Sequence, residues 1–297
     1  MTQVNHGAES DGDAASRSSG PPSTEAPERS RATSVSAGVS TSVSTGGLLD
    51  GLLGRLRFER DLQPELMDDP ALPRAEHELA LAGLARLNRF SGVAGVMYRR
   101  LRGLARDRSR PLRVLDVASG AGDVPVHWAR RAKREGIEMQ ITALDISSVA
   151  IAAQQQRAAQ AEVAIRSEQW DCLNQPLPSG FDVVTCSLFM HHLDEAQATF
   201  LLRSMYAATD RAVVVCDLER SRLNLGLVGL AAHLLSRSRV VHTDAVLSVQ
   251  GAYRRAEFRR LAEAALGIPV MMRGAFPCRF IASFHKPATT DRAGVTR

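Results

Sequence analysis

The chain has 297 residues, 44% hydrophobic and 5% aromatic, with a formal charge of +5 at pH 7. That length supports one large domain with appendages, whose core needs no covalent staple. The positive balance raises nucleic acid as a partner, but the basic residues are almost all arginine and spread from Arg55 to Arg260. Without a dense tract or basic–aromatic alternation, they read as solvated helix faces, and no nucleic-acid partner is expected.

Residues 1–47 are rich in Ser, Thr, Gly, Pro and Ala, with hardly any large apolar side chain. Such a segment cannot bury enough surface to offset its ordering entropy, and it reads as a disordered tail. It has no apolar signal core, and its several acids argue against a transit peptide. Residues 48–110 read as a helical cap, with helices over 48–56, 74–88 and 93–106; Leu79, Leu81, Leu84 and Leu87 include helical spacings. Glu65-Leu66-Met67-Asp68-Asp69-Pro70 reads as a bend between the first two.

The run Val114-Leu115-Asp116-Val117-Ala118-Ser119-Gly120-Ala121-Gly122-Asp123 organises the rest of the chain. An apolar stretch over 112–117 reads as a buried parallel strand that breaks into a small-residue turn, and Pro125 suits the first turn of a helix reaching 134. Glycine lets backbone approach a ligand, and a helix N-terminus presents unpaired N–H groups. A dinucleotide site would want Gly or Ala where Pro125 stands, and no anion near the pyrophosphate. Here Asp116 and Asp123 bracket the turn, repelling phosphate and attracting a cation. S-adenosylmethionine, an adenosine with a sulfonium and an ammonium but no phosphate, suits such a loop. The competing explanation is an ordinary strand-to-helix turn with solvated aspartates.

With these residues the chain resembles the class I S-adenosylmethionine-dependent methyltransferases, whose acid-x-Gly-x-Gly-x-Gly appears as Asp116-x-Ala118-x-Gly120-x-Gly122 with alanine in the first glycine place. Leu115 through Asp123 is also similar to the run found in ubiquinone/menaquinone-biosynthesis C-methyltransferases. The resemblance covers roughly 112–285 and implies an α/β fold: a Rossmann-like, seven-stranded, mostly parallel sheet with N-terminal helices and a helical lid insertion. It implies cofactor contacts at Asp116, Ala118, Ser119, Gly120, Gly122, Asp145, Ile146, Asp171, Cys172, Ser187 and Leu188. N-terminal helices in this class often cover the cofactor and wall the acceptor pocket; a plain helical layer on the sheet is the alternative.

Alternating strands and helices continue from Pro111, as in a parallel sheet with right-handed crossovers. A second strand over 139–145 ends in Asp145, whose carboxylate can accept from both ribose hydroxyls or cap the next helix, over 149–161 after Ser147. Ala164-Ile165 mark a short third strand. Trp170-Asp171-Cys172-Leu173 then resembles the stretch whose acid accepts from the adenine amino group, with a plain turn as competitor. The fourth strand, 181–186, leads into Ser187-Leu188-Phe189-Met190-His191-His192 at the switch point, so this loop should face the transferable methyl. His191 is the first candidate for the group that orients or deprotonates an acceptor hydroxyl, and His192 the second. A metal is not expected, because no second pair of ligands has suitable spacing. A helix over 196–207 and a fifth strand over 211–216 come next, then an apolar stretch over 223–235 too short to span a bilayer. Residues 218–250 are read as the lid insertion, with a last helix over 254–266 and closing strands over 269–272 and 279–284. The domain runs 111–286, and 287–297 form a loose tail.

The four cysteines, Cys172, Cys186, Cys216 and Cys278, form no Cys-x-x-Cys pair, and read as buried free thiols in a reducing cytoplasm. The leading function is methylation of a small, partly apolar molecule by S-adenosylmethionine. Glu65–Pro70, Arg86-Leu87-Asn88-Arg89 and Leu235-Ser236-Arg237-Ser238-Arg239 resemble bacterial methyltransferases associated with type III polyketide synthases, which implies O-methylation of a phenolic or pyrone-type hydroxyl. Carbon methylation of a quinone precursor and a catalytically silent binding module are the alternatives. Methylation of base amino groups is disfavoured, because Ser187-Leu188-Phe189-Met190 stands where an Asn/Asp-Pro-Pro-aromatic loop would be.

Overall fold

The computed structural model describes residues 58–69, 71–106 and 110–287. The tail over 1–47, the first cap helix over 48–56 and the end of the chain from 288 lie outside them.

Helices α1 (Arg74–Ser91) and α2 (Val93–Ala105) come first, joined through left-handed Gly92. Strands and helices then alternate: β1 (Leu112–Val117), α3 (Asp123–Glu135), β2 (Met139–Asp145), α4 (Ser148–Gln160), β3 (Arg166–Gln169), β4 (Phe181–Ser187), α5 (Glu195–Ala208) and β5 (Thr209–Leu218). Helices α6 (Arg222–Leu235), α7 (Arg239–Gly251) and α8 (Arg255–Leu266) precede β6 (Met271–Ala275) and β7 (Arg279–His285).

One seven-stranded sheet runs β3-β2-β1-β4-β5-β7-β6, with β7 antiparallel to both neighbours and the other pairs parallel. This is the class I methyltransferase fold. The central strands are apolar on both faces because helices cover both. Leu115, Val117, Val184, Val213 and Val215 face a core containing Leu201, Met205, Phe258 and Phe284. Their alternates Leu112, Val114, Val183 and Val214 face Tyr98, Leu101 and Trp128. Trp128 is wholly buried and donates from Nε1 to the Ala94 carbonyl at 2.9 Å, which ties α2 to α3.

Several boundaries differ from expectation. The third strand begins at Arg166, after the Ala164-Ile165 pair, because an edge strand with one neighbour shows no apolar alternation. β5 extends to Leu218, so Asp217 belongs to the strand and is held in place by it. The stretch over 239–251 is a helix of its own, begun by Ser238, whose side chain accepts from the Val241 N–H. Its polar residues interrupt the apolar pattern that marked α6. Among the described residues no helix is long and apolar enough to cross a membrane.

Candidate active site

The carboxyl ends of β1, β2 and β4 open into a cavity of about 960 Å³. Across from them lie α1, a 3₁₀ turn at Leu66–Asp68, α6 and α7. In open α/β sheets this is where ligands bind, and the volume sits at the upper end of the usual range of about 300–1,000 Å³ for small-molecule sites. Of the residues singled out from the sequence, Ala118, Ser119, Gly120, Asp145, Ile146, Asp171, Cys172, Ser187, Leu188, His191 and His192 line it.

Asp116 and Gly122, unlike the other cofactor-contact candidates, do not line the cavity. Asp116 is buried beneath the loop, where its Oδ1 accepts from Thr185 Oγ1 at 2.7 Å and Oδ2 lacks a partner among the described residues. Desolvation pushes its carboxyl up to about 7. A nearby cation would favour its charged form, and Asp123, the other acid of the pair, lines the cavity directly. Gly122 serves packing: a Cβ there would lie 2.8 Å from Gln154 Cγ of α4. A Cβ at Gly120 would meet nothing within 4 Å, so the loop leaves open space at that point.

Asp145 is oriented by the loop it faces. Its Oδ2 accepts from the Gly120 N–H at 2.8 Å and its Oδ1 from the Ser147 N–H at 3.0 Å. Burial raises this carboxyl above its usual range. Asp171 is spent largely on its own turn, accepting from the Leu173 and Asn174 N–H groups and from the Asn174 amide. The turn explanation therefore accounts for its hydrogen bonds, although it remains at the cavity wall. Ala118 and Leu188 both take left-handed backbone, with φ of 53° and 56°. Non-glycine residues in that region carry strain, and both occupy strand-end loops facing the cavity.

A cluster of polar side chains also lines the cavity. His191 is buried, and its Nδ1 lies 2.7 Å from Asp217 Oδ1, while its backbone N–H donates to Oδ2 at 3.0 Å. One carboxylate, Asp217, thereby holds both the ring and the backbone of His191. Nε2 faces Glu65 Oε1 at 3.8 Å, and the His192 Nδ1 lies 3.8 Å from the same oxygen and 3.4 Å from Asp68 Oδ2. Burial raises the Glu65 carboxyl to about 7. Burial would also raise Asp68, but hydrogen bonding to His192 and its charge bring that carboxyl below its usual range.

Glu65 and Asp217 were missed from the sequence as members of this group. Long-range contacts place Glu65: Asp244 of α7 accepts from the Leu66 and Met67 N–H groups at 2.9 and 3.0 Å, and Ser248 donates to Glu65 Oε1 at 2.5 Å. Arg60 fastens the same segment, donating to the carbonyls of Gly251 and Leu193 at 2.6 Å each. Only the coincidence of an acid in a bend with a later His-His pair hinted at it, and sequence spacing cannot reveal a contact between such distant segments.

The sheet order is that of the class I methyltransferase fold. Residues 114–212 match a family described as a methyltransferase domain. A demethylmenaquinone methyltransferase from Deinococcus radiodurans is 35% identical over 89 residues, 29% of this chain and 35% of that protein. The chain thus spans about a third of the length of the curated relative it matches. Among solved structures, the S-adenosylmethionine-dependent methyltransferase SibL in its apo form is 20% identical, with TM-score 0.52, over 82% of this chain and 69% of that one. An O-methyltransferase family 2 protein from Planctomyces limnophilus, complexed with apigenin, is 18% identical, with TM-score 0.53, over 74% and 63%. At these identities the two structures show a shared fold.

Proposed function

We propose that the chain transfers a methyl group from S-adenosylmethionine to a hydroxyl of a small, partly apolar acceptor of phenolic or pyrone type, such as a polyketide. The observation that carries this is His191, whose Nδ1 is pinned by Asp217 so that Nε2 is presented towards Glu65 in the polar cluster that lines the cavity.

The residues present fit the cofactor. The open space at Gly120, the Asp145 carboxylate and the apolar Ile146 suit a nucleoside, and the Asp123 carboxylate at the cavity wall suits a nearby positive charge. When bound, S-adenosylmethionine supplies a methyl group on a positively charged sulfur, an activated donor. The protein's own task is then alignment and exclusion of water. Nε2 of His191 accepts the hydroxyl proton as the acceptor oxygen becomes nucleophilic, and Asp217 stabilises the resulting imidazolium. Helices α6 and α7 supply the apolar wall, with Leu227, Val228, Leu235 and Ala245 at the cavity. In this reading 218–250 act as the lid and the segment before β1 as the cap.

An alternative chemistry, carbon methylation of a quinone precursor, draws support from the similarity to the demethylmenaquinone methyltransferase. Incubation with methyl-labelled cofactor and a panel of phenols, pyrones and quinone precursors separates the two. A product bearing a new methyl ether is expected; a product methylated only at carbon would overturn the hydroxyl assignment.

A further inference from the structure

Three side chains from two distant parts of the chain converge in the polar cluster that lines the cavity. Glu65 Oε1 lies 3.8 Å from His191 Nε2 and 3.8 Å from His192 Nδ1, and all three ligating atoms fall within 4.8 Å of one another. Separations of 3.8 Å are too long for direct hydrogen bonds. Neither imidazole therefore satisfies the Glu65 carboxylate directly; His192 Nδ1 lies nearer to Asp68 Oδ2, at 3.4 Å, and that carboxylate must release the ring or join the ligand set when an ion binds. Tetrahedral Zn²⁺ with bonds of about 2.0–2.1 Å would place its ligand atoms roughly 3.3–3.5 Å apart, so the two carboxylate–imidazole separations need shorten by only a few tenths of an ångström, while the imidazole pair, within 4.8 Å, must close by whatever remains of that distance.

The surroundings match what such a centre requires. Metal-ligating histidine usually gives its other ring nitrogen to a carboxylate, which fixes the tautomer, and ligating carboxylates are themselves hydrogen-bonded. His191 has Asp217 on Nδ1, and Glu65 has Ser248 on Oε1. Glu65 is also locked in place, because the following two N–H groups are held by Asp244. Two histidines and a glutamate, with the remaining side open to a cavity, form a ligand set suited to zinc and its neighbours rather than to magnesium or calcium. Sequence spacing had argued against a metal because the third ligand comes from the N-terminal segment.

We propose that Glu65, His191 and His192 bind one divalent transition-metal ion of the zinc type. The ion takes the Nε2 lone pair that proton transfer needs, and so blocks methyl transfer until it is removed. Binding stands on the geometry alone; the effect on turnover rests on the hydroxyl-methylation function proposed above.

The test uses the full chain, stripped with a chelator and titrated with Co²⁺ while visible absorption is followed. One equivalent should bind with the bands of low-coordinate cobalt, and Zn²⁺ should displace it. Glu65→Gln and His192→Ala should each weaken binding by about tenfold or more, a loss seen even for outer-shell changes. Thermal unfolding of both variants checks that they fold, and the partial exposure of His192 makes it the safer one. Failure to bind one equivalent, or affinity unchanged in a folded variant, would overturn the site. Stripped enzyme should be active and lose turnover as Zn²⁺ is added, with acceptor competing against the ion. A rise in turnover on adding Zn²⁺ would overturn the blocking role and the base assignment of His191 while leaving the binding result intact. Loss of methyl transfer on stripping would overturn the blocking role, and absence of methyl transfer both before and after stripping would count against the proposed function; with Co²⁺ still bound on titration, neither result counts against the site.

Discussion

Replacing His191 by alanine is expected to lower turnover by about 10²–10⁴-fold, the usual contribution of a general base. Cofactor affinity should stay close to wild type, because the hydrogen bonds of the His191 ring and N–H go to Asp217 and not to Asp145 or the glycine loop. The lower end of that range is expected for an acidic acceptor, since a phenol or enol ionises readily. Loss should also shrink as assay pH rises above the acceptor's own pKa, where the hydroxyl has already given up its proton. The cause is structural as well as chemical: the imidazole is fixed by Asp217 at 2.7 Å and buried against solvent. Steady-state kinetics across pH, with cofactor affinity measured separately, read this out. Full activity of the alanine variant at every pH would reduce His191 to a packing residue and leave the chemistry to alignment.

Trp128→Ala should destabilise the fold by about 3–5 kcal/mol, the cost of emptying a large aromatic from a packed core. Trp128 is 0% exposed, lies among Val93, Met97 and Leu101 of α2, and holds the Ala94 carbonyl through Nε1. Its removal leaves a cavity and breaks the hydrogen bond that joins α2 to α3. Because α3 begins at the glycine loop, loosening it also loosens the loop. Urea unfolding should show a lower midpoint, and a loss below about 1 kcal/mol would mean that the surrounding helices collapse readily onto the vacated space.

The central strands were legible because they are buried on both faces and read as unbroken apolar runs: β1 and β2 were placed to the residue. The loop after β1 was legible for a different reason, since small residues between a strand and a helix leave few alternatives. β3 was displaced because a polar edge strand, Arg166–Gln169, offers no periodic signal. Helix α7 was missed because its buried positions, Val240, Val241, Ala245 and Val249, are interspersed with polar residues such as Asp244, which turns inward to hold another segment. Asp116 shows the limit of charge counting: a carboxylate close to a motif in sequence can be buried beneath it. Glu65 shows the limit of spacing, because the backbone that presents it is fixed by Arg60 and Asp244 through contacts that close only when the chain is folded.

The central claim is that the cavity holds S-adenosylmethionine, and calorimetric titration with S-adenosylhomocysteine, ATP and NADH tests it most directly. S-adenosylhomocysteine should bind with one site per chain, and the two phosphate-bearing nucleotides much more weakly. Asp145→Ala should cost about 2 kcal/mol, as for a charged hydrogen bond, or roughly 30-fold in Kd. NADH or ATP binding more tightly than S-adenosylhomocysteine, or an Asp145→Ala variant with unchanged affinity, would contradict the assignment of this loop.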